Sequence, residues 1–487
     1  MNVNPITRLD YPDPDVIRVE DTYYMVSTTM HFMPGCEILQ SFDLVHWEHA
    51  TYVYETLDHT DAQQLKSGQN IYGQGMWAAS LRYHEGRFWI CFVANDTRKT
   101  YLYTSEKIDG PWKKQLIEGF YHDGSLLFDE DGRNYIVYGN DEIWITELNE
   151  DLTAPKKDGL HRLLVSDHKN PELGYEGSHI QKINGYYYIF LIHSLRDRWM
   201  RTEACFYSDS LEGEFTGGDV LCDDRGYCGQ GVAQGGIVDT PDGKWYAMLF
   251  QDSGAVGRIP ILLPVTWKDH FPFFGQNGHV PEEIEVHSTR PGYIYQPLVG
   301  SDDFCNGLLP RWQFNHDPDP RYYHLDALQG TYTITTREVC TELTQAVNTL
   351  TQRMSYPSCA AEVTVDASAL KEGDVAGLCA LQGCYAAVGI TKHHGKYEVL
   401  MLDKKEDGIL DMTEGTVVES HQMDFRLEAD FCNMKDEARC YYRVNKGDWL
   451  PIGTVHKLYF KLDHFTGCRF GLFCYAAEET GGSACFR

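Results

Sequence analysis

The amino-acid sequence predicts an all-β protein: a five-bladed β-propeller followed by a C-terminal β-sandwich. Three observations carry that prediction. A strand–turn–strand unit recurs five times before residue 300, the pattern changes to short alternating runs after it, and aromatics are abundant, with 31 Tyr, 22 Phe and 10 Trp. The 487 residues exceed what one compact core usually holds, so two domains are expected, 1–300 and 301–487.

The repeat opens with DVIRVEDTYYMVST and returns as SLRYHEGRFWICFV, SLLFDEDGRNYIVYG, HIQKINGYYYIFLIH and GGIVDTPDGKWYAMLF. Each reads as an apolar strand, a tight polar turn and an aromatic-rich strand. Turns such as EG, DG and NG signal β-hairpins, because Gly and Asn accept the positive φ that hairpin turns require. The turns fall at Asp21, Gly86, Gly132, Gly185 and Gly243, roughly 46 to 65 residues apart, and repeats of this kind carrying four strands read as propeller blades. The pieces SFDLVHW, SEKIDGPW and SDSLEGEF follow three of the units and predict the outer hairpin of a blade. Beyond VHSTRPGYIYQPLVGSDDF no further unit follows. Runs such as GTYTITT, CAAEVTVDA, YEVLML, RCYYRV and CRFGLFCYA, set between Gly and Asp turns, predict the sandwich.

Charge and cysteine usage bound the function. A formal net charge of −29 repels polyphosphate and anionic lipid, which argues against nucleic acid and membrane surfaces and favours a small neutral partner. The 15 cysteines show no CxxC pair and no zinc-type spacing, and Cys91, Cys205, Cys379 and Cys474 lie in apolar runs where a thiol behaves as a small hydrophobe. No disulfide framework is expected. The start, MNVNPITRLDYPDPD, lacks the basic and apolar regions of a secretory signal, and no apolar run reaches the roughly 20 residues of a membrane span. A cytoplasmic location is expected. The 20 histidines include His393 and His394 but no HExxH, which argues against a metallohydrolase.

Counting back from each turn brings out a second regularity. Trp77, Asp123, Glu176 and Gln234 each lie nine residues before their turn glycine, and Asp13 lies eight before Asp21. If first strands line the axis, three carboxylates, a Trp and a Gln meet at one end of it. Carboxylates in one small cavity push their pKa values apart, which separates an acid from a base, and such a pair is the usual equipment for glycoside hydrolysis. Asp13 sits in YPDPD, where Pro12 and Pro14 stiffen the chain. Asp10 and Asp15 read better as residues of a solvent-facing turn.

These segments resemble glycoside hydrolase family 43. The resemblance rests on LDYPDPDVIRVEDTYYMVST, GQGMWAASLRYHEGRFWI, YHDGSLLFDEDGRNYIVYG, GYEGSHIQKINGYYYIF and GGIVDTPDGKWYAMLF, in order across residues 4–300. It implies a five-bladed propeller enzyme acting with inversion, among β-xylosidases, α-L-arabinofuranosidases and arabinanases. The later segments VNTLTQRM and FTGCRFGLFCYA resemble the jelly-roll, lectin-like sandwich of exo-acting members. By that resemblance Asp13 is the general base, Glu176 the general acid and Asp123 the carboxylate that raises the acid's pKa and orients it. Trp77 is a wall of the sugar pocket and Arg258, in GAVGRIPILLPVTW, a ligand of a sugar hydroxyl. Gln234 stands where many members carry a histidine associated with a metal or a central water. No essential cofactor is therefore expected, and Gln234 is expected to bond water or substrate; calcium as a structural ion in the channel stays open. The implied reaction is release of a terminal arabinofuranosyl or xylosyl unit from xylan-derived oligosaccharides. A non-catalytic sugar-binding propeller is the alternative. A fructan-cleaving propeller is disfavoured, since neither a WMNDP-like start nor an RDP triplet occurs.

Overall fold

Hairpin turns set the blade spacing. In the computed structural model, which describes residues 2–413 and 415–487, Gly86, Gly132, Gly185 and Gly243 have φ of 76°, 81°, 84° and 79°. A Cβ at any of them would meet no atom within 4 Å, so what the turn needs there is left-handed backbone rather than space. In the first unit Glu20 takes the same conformation, with φ 56°.

Each hairpin is the inner half of a four-stranded antiparallel meander, and the described residues form five of them. The first runs through Asp15–Val19, Thr22–Val26, Gly35–Ser41 and Glu48–Tyr54. The others open with Met76–His84, Ser125–Phe128, Glu176–Ile183 and Val232–Asp239, and end with Lys113–Ile117, His161–Ser166, Thr216–Leu221 and Phe271–Phe274. SFDLVHW, SEKIDGPW and SDSLEGEF turn the third strand into the fourth, as expected of an outer hairpin. The five opening strands neighbour one another in a ring around the axis.

The apolar pattern follows from that ring. Alternate residues of a strand face opposite sides, and here both sides carry a neighbouring blade. Ile136 packs toward the second blade while Tyr135 and Val137 pack toward the fourth; Ile189 and Leu191 face the third while Tyr188 and Phe190 face the fifth. Strands buried on both faces read as continuous apolar runs, which accounts for YYYIFLIH. The ring closes by the same kind of core, Met25 and Leu39 against Met248 and Leu262. Arg18 Nη2 adds an ion pair to Asp239 at 2.5 Å, and Tyr11 N–H donates to the Arg258 carbonyl at 2.9 Å.

The sandwich stacks two sheets over one large core. One sheet borrows Phe32–Met33 from the first blade, paired with Gln313–Asn315. Buried charges fasten the seam: Arg353 Nη1 lies 2.7 Å from Glu37 Oε2, and Arg353 Nε donates to the Asp10 carbonyl at 2.8 Å. Cys91, Cys205, Cys379 and Cys474 are buried. No helix among the described residues is long and apolar enough to cross a membrane.

Candidate active site

One backbone device recurs where the chain enters the opening strands. Asp13 and Asp123 are themselves left-handed, with φ 51° and 48°, as are Ala78, Gly177 and Gln234, with φ 32°, 65° and 59°. The register slips at the same places, between Trp77 and Ser80, Glu176 and His179, and Ala233 and Gly236. A bulge of this kind re-aims side chains at the rim of a sheet, and here it gathers residues from five blades at one end of the axis. At Gly177 a Cβ would lie 2.7 Å from the Gln234 side chain, so that glycine is required by close approach as well.

Asp13 is buried and doubly held. Arg258 Nη1 donates to Oδ1 at 2.6 Å and Thr28 Oγ1 to Oδ2 at 2.6 Å. Pro12 contributes its carbonyl, which accepts from Thr28 N at 3.1 Å and Ser27 Oγ at 2.7 Å. Arg258 is buried: its Nε lies 3.2 Å from Asp252 Oδ1, and its guanidinium carbon lies 3.7 and 4.5 Å from the ring centroids of Phe465 and Phe250.

Asp10 and Asp15 correct the expectation of a solvent turn. Both are buried, 2 % and 0 % exposed. Asp10 accepts Arg258 N–H at 2.8 Å and Gly467 N–H at 2.7 Å, tying blade five and the sandwich to the first blade. Burial pushes its carboxyl up to about 6 despite those bonds. Asp15 accepts from Leu81 N and Arg82 Nη1 at 2.8 and 2.7 Å and faces His179 Nδ1 at 3.1 Å. Its burial opposes ionisation, but Arg82 and His179 outweigh it and bring the carboxyl down to about 2.

Asp123 and Glu176 sit opposite a residue the sequence reading missed. His122 Nε2 lies 3.6 Å from both Asp123 Oδ2 and Glu176 Oε2. The Asp123 charge, resisted by burial and helped by Glu176, raises His122 to about 9. Burial lifts Asp123 to about 6, with the His122 charge opposing and the charges of Glu176 and Asp13 adding. Glu176 goes the other way: burial alone would raise it, but His122, Arg201 and Arg258 together lower it. The expected lift of Glu176 by Asp123 is thus overridden by the imidazole between them. Gly177 N–H donates to Asp123 Oδ2 at 3.0 Å, and Asn140 Nδ2 to Glu176 Oε2 at 2.6 Å. The signal for His122 was its place immediately before Asp123 in YHDGSLLF.

The walls come from both parts of the chain. Trp77 stands edge-to-face against Phe465 of the sandwich at 5.0 Å, with the His122 ring centroid 6.5 Å away. Gln234 is buried, and its N–H donates to Glu203 Oε2 at 2.7 Å.

Two places bear on metals. In the channel Arg82 donates to Asp15, to Ser125 Oγ at 2.7 Å and to the carbonyls of Leu81, Leu126 and Ile180 at 2.6, 2.9 and 3.1 Å. A guanidinium already fills the oxygen cage that calcium needs, so these residues do not fit that ion. At the mouth, ligand atoms of His122, Asp123 and Glu176 lie within 4.8 Å of one another, a group able to hold a cation.

Residues 3–272 match Glycosyl hydrolases family 43, and residues 301–487 match the Beta xylosidase C-terminal Concanavalin A-like domain. The chain is 26% identical to a beta-xylosidase of Formosa agariphila across 99% of this chain and 88% of the relative. Among solved structures, a bifunctional GH43-CE chain of Bacteroides eggerthii superposes with a TM-score of 0.92 at 42% identity over all of this chain, which spans 63% of that longer one. A GH43 glycoside hydrolase engineered for endo-xylanase and exo-arabinofuranosidase activity gives 0.86 at 26% identity, over 99% of this chain and 98% of that one. Blade topology, the carboxylates at the axis and both matched segments agree: the chain belongs to glycosyl hydrolases family 43.

Proposed function

We propose that this chain is an inverting exo-glycosidase that releases one terminal pentose, α-L-arabinofuranosyl or β-D-xylosyl, from xylan- or arabinoxylan-derived oligosaccharides. One observation carries the reading. Carboxylates from three blades converge at one axial end beside Arg258, in a pocket walled by Trp77 and by Phe465 from the sandwich. The activities of the relatives named above support the pentose. Residues 1–300 supply the catalysis, and 301–487 close the rim and restrict the pocket to a chain end.

Asp13, fixed by Arg258 and Thr28, is the base that takes a proton from the attacking water. Glu176 is the acid, since it alone of the three carboxylates keeps a fifth of its side chain exposed, where a leaving oxygen can reach it. In the free enzyme the Asp123 and Glu176 charges raise His122 to about 9, and the titration belongs to the group as a whole. A sugar ring packed on Trp77 removes water from Glu176, and desolvation raises a carboxylate's pKa. Substrate binding itself therefore shifts the proton toward the acid. Catalysis in this reading needs no metal, Gln234 bonds water or a sugar hydroxyl, and the enzyme works in the cytoplasm. Cys222, Cys228, Cys305 and Cys432, exposed and free, support that compartment. Side-by-side assay on nitrophenyl arabinofuranoside and nitrophenyl xyloside tests the reading and separates the two sugars. Sugar binding without turnover of either would return the chain to a non-catalytic binding role.

A further inference from the structure

We propose that His122, Asp123 and Glu176 form a binding site for a divalent transition-metal ion of the zinc class, and that the ion silences the enzyme when it binds. The inhibition half rests on the assignment of Glu176 as the acid; the site itself does not.

Spacing is the first argument. His122 Nε2 stands 3.6 Å from each carboxylate oxygen, which is too long for a hydrogen bond. Four ligands at about 2.1 Å around zinc lie about 3.4 Å apart along the edges of a tetrahedron. The two separations from His122 are therefore those of ligands around one ion rather than of groups bonded to each other, and all three ligand atoms lie within 4.8 Å of one another. His122 Nε2 is also shut from solvent and has no hydrogen-bond partner within 3.5 Å, and an entering dication would displace the proton it shares with the two carboxylates, as binding to an imidazole requires.

Donor chemistry selects the class of ion. One imidazole and two carboxylates suit zinc and its neighbours, whereas calcium requires six to eight oxygens and magnesium a near-ideal octahedron. The ligands are oriented from behind, as metal ligands are: Gly177 N–H bonds Asp123 Oδ2 and Asn140 Nδ2 bonds Glu176 Oε2. Each of those oxygens retains a lone pair for the ion. Charge agrees, because the carboxylates of Asp13, Asp123, Glu176 and Asp252 face the guanidiniums of Arg201 and Arg258, leaving a net negative pocket for a dication. The Glu176 side chain is 20% exposed, so the carboxylate side of the cluster is reached from solvent. A Glu176 oxygen engaged by the ion holds no proton for a leaving group, and the ion stands where that group must depart.

The test uses the full chain loaded with one equivalent of zinc. X-ray absorption at the zinc edge should show nitrogen and oxygen neighbours without sulfur, and cobalt in its place should give visible bands without a thiolate charge-transfer band. His122→Phe and Glu176→Gln should each weaken zinc binding at least tenfold by calorimetry, while Cys222→Ser with Cys228→Ser leaves it unchanged. Activity should fall in step with occupancy and return on chelation. Sulfur neighbours in the native protein, or no binding at equimolar zinc, would overturn the site without need of any variant. Nitrogen and oxygen ligation lost in both variants, with turnover untouched, would uphold the site and instead remove Glu176 as the acid.

Discussion

Within the six residues from Asp10 to Asp15, three aspartates take three separate tasks. Asp13 faces the pocket, Asp10 ties the sandwich loop to blade five, and Asp15 anchors the channel. Spacing within the repeat singled out Asp13, because that signal is local to each blade. The partners of Asp10 and Asp15 lie far along the chain, at Gly467, Arg258 and His179, so a turn-like composition concealed two buried anchors. His122 was hidden for a related reason: a histidine beside an aspartate carries no pattern until Glu176 is brought across from the next blade. The acid assignment gives a prediction at this scale. Protonation helps most when the departing alcohol is poor, so Glu176→Gln should lose at least about 100-fold on natural oligosaccharides and far less on substrates with an acidic phenol. Asp13→Asn should lose both alike. Equal losses for Glu176→Gln on the two substrates would move the acid elsewhere.

The sandwich loop at the pocket and the channel along the axis can each be tested alone. The loop from His464 to Gly467 carries Phe465 onto Arg258 and Trp77, and nothing in FTGCRFGLFCYA indicated which blade it would meet. Phe465→Ala should raise KM several-fold with a smaller change in kcat, since the wall binds the sugar without moving protons; an unchanged KM would take Phe465 out of the pocket. The channel is the second element. Arg82 joins the first four blades through Asp15, Leu81, Leu126, Ser125 and Ile180. Arg82→Met leaves Asp15 a buried charge without its cation and should cost about 3–5 kcal/mol, whereas chelators should leave the native Tm unchanged. A Tm that drops on chelation and returns with calcium would show that the channel holds an ion after all.

The same anchor fixes the sign of the acid response. The folded-state pKa of Asp15 is lowered to about 2 from an ordinary 3.8. Its contribution is therefore complete above the unfolded value and lost as pH falls through the folded one, about 2 kcal/mol over that window. Asp15→Asn should be less stable at neutral pH, and its unfolding free energy should flatten between about pH 4 and 2. A native-like slope there, followed by denaturant titration, would assign the acid lability to other groups.

At the scale of the whole molecule, the propeller was legible and its union with the sandwich was not. Five hairpins with turn glycines announce five blades because each blade is built from consecutive strands. The seam is built from single residues hundreds of positions apart, Arg353 on Glu37 and Phe32–Met33 on Gln313–Asn315, and no short-range pattern encodes such pairs. The outcome is a site that Asp13 and Glu176 enter from the first and fourth blades, with Phe465 of the sandwich packed on Trp77 beside it. Inversion requires a water between the proposed base and the sugar, so the two carboxyls are expected about 6.5–9.5 Å apart. Time-resolved NMR of the first sugar released measures this directly. The account predicts that α-xylose forms first from a β-xyloside, or the β-anomer of arabinofuranose from an α-arabinofuranoside, before mutarotation mixes them. First release of the anomer already present in the substrate would contradict it.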